Sequence, residues 1–188
     1  MSKYRAEAEA IKRNLTCLQL TTATQNNLIK SITASDISTH NSSFNSLKNA
    51  NNGTDYLISP NNYLENPFLA LDTSTLLINK LFITIGDAVK SIFNLERLLN
   101  KLESTNLTSD NELIHSQIVS TLNYIVSVLR QDFTLKISLA KALKIAHDVD
   151  ELQRIRFLWL DSPVSEYSSG TKSLYTSRLD LLKALLNN

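Results

Sequence analysis

An all-α fold is the reading this sequence supports: an elongated helical bundle or coiled coil of about four helical segments with a long, flexible connection rich in Asn, Ser and Thr. Two observations carry it. Apolar residues recur at alternating steps of three and four over several stretches of chain, the pattern of helices that each bury one face. Gly and Pro number only three each in 188 residues, and hairpin-rich β folds need both at their turns.

The first helix is expected over residues 1–32. Its seam runs Tyr4, Ala8, Ile11, Leu15, Leu18, Thr22, Gln25, Ile29 and Ile32, a heptad repeat. Thr22 and Gln25 either weaken the helix at its middle or fix its register against a polar neighbour. A short helix set apart from the rest needs a surface to lie on. Ile11, Leu15, Leu18, Ile29 and Ile32 are therefore candidate interface residues, packing on the chain's own bundle or on a partner. Cys17 flanks the seam and reads as a small packed hydrophobe.

Residues 33–66 are crowded with Asn, Ser and Thr, and their few apolar residues follow no period. Such a stretch buries too little to offset its ordering entropy. It reads as a flexible linker with two apolar islands, Tyr56-Leu57-Ile58 and Tyr63-Leu64.

The remaining 67–188 read as a helical bundle. Asn66-Pro67 suits a helix entry, because proline at the first helical position gives up an amide the helix does not use. The second seam is Leu77, Leu81, Ile85, Ala88, Ile92, Leu95, Leu99 and Leu102. Phe82, Val89, Phe93 and Leu98 widen it, so this helix faces more than one neighbour. Gly86, inside the helix, costs about 1 kcal/mol relative to Ala and allows a close crossing or a kink.

Ser109 and Glu112 have capping-box spacing for a third helix. Its stripe, through Leu122, Ile125 and Leu129, meets a polar step at Gln131-Asp132 and resumes at Leu135, Leu139 and Leu143. One helix over 109–152 would span roughly 65 Å, so it either bends near Asp132 or the molecule is a rod. The segment IRFLWL, Ile155 to Leu160, reads as helix because the seam runs into it; extended, it would put Ile155, Phe157 and Trp159 on one face. Phe157 and Trp159 are candidate partner contacts, a Trp beside Arg being typical of interface hot spots. The alternative is that Trp159 caps the chain's own core. Pro163 and Gly170 mark a loop, and Thr171 can cap a last helix.

Few chemical constellations are present. Lys+Arg 19 against Asp+Glu 18 argues against a dedicated phosphate-backbone binder. Arg130, Lys136, Lys141 and Lys144 are interleaved with acids such as Asp132 and read as a solvated mixed-charge face. The glycines stand alone, so no phosphate loop is formed. One cysteine gives neither a disulfide nor a cysteine-cluster zinc site. Glu112 and His115 have the spacing used in di-iron bundles, but the second such pair is missing. No catalytic residue, metal ligand or cofactor is expected, and no enzyme. Ser59-Pro60 and Ser162-Pro163 are weak proline-directed phosphorylation motifs.

The start of the sequence is charged, without the apolar core of a secretory signal. The longest charge-poor run, Leu113 to Leu129, carries His115, Gln117 and Asn123, so no membrane insertion is expected. The expectation is a cytoplasmic or nuclear, non-enzymatic structural or adaptor subunit. It would join other helical subunits as a hetero-oligomer through helix–helix packing, with no small-molecule substrate. The alternative is a helical module that binds nucleic acid or a membrane surface.

Overall fold

The computed structural model describes the backbone of residues 5–50, 67–105, 112–146, 148–162, 164 and 174–187, and the side chains of those residues outside 35–50 and 67–74. The helices are α1 Arg5–Ala50, α2 Pro67–Glu103, α3 Glu112–Leu143, α4 Val149–Leu160 and α5 Leu174–Leu185. The fold is all-α, with no strand among the described residues.

Helix α1 continues well beyond the expected end at Ile32, to Ala50. No Gly or Pro stands before Gly53 to break it. Its hydroxyls also do less harm than their number suggests. Thr16, Thr24, Ser31 and Thr33 each donate to the carbonyl four residues back, at 2.8–3.0 Å. That back-bonding satisfies the hydroxyls inside the helix rather than in a competing turn. The expected linker is thus helical over 33–50, and its remainder, 51–66 with both apolar islands, lies outside the described residues. Helix α2 begins at Pro67 and runs through Gly86 unbroken.

Neither a bend near Asp132 nor a single rod over 109–152 is needed to fit the third segment. Helix α3 passes through that position and ends at Leu143. Lys144 and Ile145 close the end with bonds to carbonyls three residues back, a tightened last turn. Asp148 then takes extended backbone and accepts from the Asp150 amide, capping α4. The long third segment is therefore two helices. The proposed caps Ser109 and Thr171 lie outside the described residues.

Helices α1 and α2 are antiparallel. Lys101 meets Glu7 at 2.6 Å at one level, and Asn94 meets Asn14 at 3.4 Å two turns on. Helix α3 returns antiparallel to α2, with Arg130 on Glu96 and the Lys144 ammonium 4.4 Å from the Phe82 ring centre. Two apolar clusters fill the interior. The first joins α1, α2 and α3 to α5, around Leu15, Leu95, Leu129 and Leu182. The second joins the same three helices to α4, around Ile29, Leu81, Leu143 and Trp159. Each fully buried Leu or Ile contributes about 1.5–3 kcal/mol. The two short helices thus close opposite parts of one three-helix frame.

Candidate functional site

The expected interface residues of α1 face inward. Ile11, Leu15 and Leu18 belong to the first cluster, and Ile29 and Ile32 to the second; all are buried. In this arrangement the seam is covered by the chain itself. Helix α4 separates the other pair. Leu152, Ile155 and Trp159 share one face at steps of three and four and are buried, while Phe157 is 66% exposed. A period of 3.6 puts residues two apart on different faces, so Phe157 and Trp159 do not form one patch. Cys17 is exposed rather than packed.

The unusual chemistry lies at the junction of the two clusters. On α1 the seam positions between Leu18 and Leu28 include Thr22 and Gln25, both buried. On α3 Asp132 and Lys136 lie near the junction, and their side chains are fully buried. Lys136 Nζ stands 2.7 Å from Asp132 Oδ2, close enough for strong attraction though not aligned as a hydrogen bond. The hydroxyl of Ser162, just beyond α4, donates to Asp132 Oδ1. The Lys136 ammonium lies 5.2 Å from the ring centre of Phe133 and 5.8 Å from that of Trp159. One ring belongs to each cluster, so the lysine spans the junction.

Burial pushes the Lys136 ammonium below the usual lysine range, and the Asp132 carboxylate opposes that shift. Burial also pushes the Tyr175 hydroxyl up, reinforced by the charge of Asp132. Gln25 makes no hydrogen bond through either end of its amide, and Thr22 Oγ1 and Trp159 Nε1 make none. Each unsatisfied buried group costs about 1–3 kcal/mol. The junction is the least favourable part of the interior, and it is closed to solvent. It can pin the register of α3 against α4, as buried polar groups do in some helical proteins.

Ser162 is buried here with its hydroxyl engaged, so a kinase reaches it only if the end of α4 opens. Ser59 lies outside the described residues.

The reading of the third helix missed this cluster by placing Asp132 and Lys136 on a solvated face. A usable signal was present. Leu122, Ile125, Leu129, Asp132, Lys136, Leu139 and Leu143 keep the three-four alternation without a gap. Stepping off that line to Leu135 follows hydrophobicity instead of period, and Leu135 proves exposed.

Among the described residues no group of three or more His, Cys, Asp or Glu side chains is placed to hold a metal ion. No described helix is long and apolar enough to cross a membrane. The geometry defines an all-helical bundle with a charged pair sealed in its core. No family model, curated protein or solved structure matches the chain.

Proposed function

We propose that the protein is a non-enzymatic structural or adaptor subunit, joining other helical subunits as a hetero-oligomer in the cytoplasm or nucleus. The observation that carries this reading is the apolar surface left on the outside of helices whose inner faces are already packed. Phe93 is 59% exposed and Ile83 65%, both on α2, and Phe157 stands out from α4. Exposed large apolar residues on helices whose core faces are already filled are surface available to other helices. The charged pair in the core suits this role by holding the frame that presents those faces.

The test is purification of the tagged full chain from its native source, with the co-purifying chains identified and their stoichiometry measured. The reading expects helical partner chains in fixed ratio to the protein. A chain that purifies alone, monomeric and without stoichiometric partners, contradicts it.

A further inference from the structure

Helix α2 carries a second seam that the described residues cover only at one end, where Phe82 packs against the second cluster. Phe82, Gly86, Val89 and Phe93 follow steps of four, three and four. They lie roughly a third of a turn from the core line through Leu81, Ile85, Ala88 and Ile92. Val89 and Phe93 are exposed, and Phe82 is half-buried under the Lys144 ammonium.

Gly86 sits in the middle of this seam. Glycine is the poorest helix former after proline, so its presence in a long helix calls for a reason. Among the described residues none appears: a Cβ built at Gly86 meets no atom within 4 Å. The space that glycine leaves is open on the side where the seam is apolar. A glycine flanked by large apolar residues lets a second helix approach the backbone closely.

The rim identifies the charge of that helix. Lys90 and Arg97 follow one edge of the seam at heptad spacing. Arg130 of α3 and Lys144 just beyond its end line the other edge, placed there by their contacts with Glu96 and Phe82. The acids nearby are already engaged, Asp87 by Lys90 and Glu96 by Arg130. Among the described residues four cations stand against two carboxylates, each paired with one of them, and the rim is left positive through Arg97 and Lys144. A second copy of the same surface would meet it with like charge.

We propose that the Phe82–Gly86–Val89–Phe93 face of α2 is the docking site for an acidic amphipathic helix of another chain, crossing closest at Gly86. The site rests on the assembly reading above and specifies its surface and the chemistry of the partner.

The probes are two synthetic helices of about three heptads with Leu at the seam, one carrying Glu at the flanking positions and its twin carrying Lys. Binding to the full-length chain is measured by fluorescence anisotropy. The acidic helix is expected to bind at least about tenfold tighter than its twin. Val89→Asp and Gly86→Leu should each weaken that binding about tenfold or more. Val89→Asp should leave the melting temperature nearly unchanged, and Gly86→Leu should raise it, because the new side chain enters open space and improves the helix. Equal binding of the twins, no binding of either, or binding that survives both substitutions overturns the site. So does a concentration-dependent dimer that Val89→Asp abolishes, since a second copy would then be the occupant. Purification from the native source separates the two levels. If Val89→Asp and Gly86→Leu retain every partner chain in the same ratio, the site is wrong and the assembly reading stands. If the unaltered chain retains none, the assembly reading itself fails.

Discussion

The inner seam of α1 and the outer seam of α2 have the same spacing and opposite fates. Ile11, Leu15, Leu18, Ile29 and Ile32 are buried in the two core clusters, whereas Val89 and Phe93 remain exposed. A three-four alternation says that a helix face is fit to be covered. It does not say whether the cover comes from the same chain. Neighbouring elements decide that, and here α1 is long enough to lie along α2 and occupy its core face. What is left over is the Gly86 side of α2.

The largest effect should come from the charged pair inside the frame. Lys136→Met leaves the Asp132 carboxylate buried with Ser162 as its remaining donor, and should cost about 3–5 kcal/mol in urea unfolding. Adding Asp132→Leu removes the stranded charge and should restore most of that loss. A single substitution that costs nothing would show that the pair is solvated, and the inner region would then resemble the outer one. Trp159→Ala should fall in the same range, about 3–5 kcal/mol, as a truncation in the core. Phe157, two residues away, tolerates the same change because it is exposed.

Next in size is Gln25, whose amide is buried without a partner. Gln25→Leu keeps roughly the same volume and should stabilise the protein by about 1–2 kcal/mol. A loss of stability there would mean that the amide is hydrogen-bonded in solution.

The smallest effect concerns the ends of α1 and α2. The Lys101 ammonium, hydrogen-bonded to Glu7, holds that carboxyl below its ordinary value of 4.5. A carboxylate with a lowered folded pKa stabilises the protein above the unfolded value and ceases to do so as pH falls through the folded one. Lys101 is largely exposed, so the contribution is at most about 1 kcal/mol. Thermal unfolding at about pH 7 and about pH 3 should show Glu7→Gln closing that part of the difference.

Much of the fold was legible because period is a strong signal where apolar residues supply it. The α1 seam, the entry at Pro67 and the core line of α2 all stand where the spacing puts them. Two kinds of feature were not. Composition does not tell how far α1 reaches over 33–50, where hydroxyl residues read as a connection and nothing in the segment breaks a helix. Polarity misleads at Asp132 and Lys136, where two charges stand on a core line. Their mutual i, i+4 spacing lets them neutralise each other inside, which no single residue reveals. The boundary between α3 and α4 was hidden for a related reason. It depends on Asp148 competing as a cap, with no Gly or Pro to announce it. Of the candidate interface, only Phe157 is exposed, and the outer face of α2 was legible only as a stripe too wide for one neighbour.

The contrast between the two seams is tested most directly by urea unfolding of the free protein carrying either Leu18→Asp or Val89→Asp. The same charge is placed on the inner face of α1 in one case and on the outer face of α2 in the other. Leu18→Asp should lose about 3 kcal/mol or more, because it buries an unpaired carboxylate. Val89→Asp should stay within about 0.5 kcal/mol of the unaltered protein. Equal losses, or a larger loss at Val89, would contradict the assignment of α1 to the chain's own core and of the α2 face to its surface.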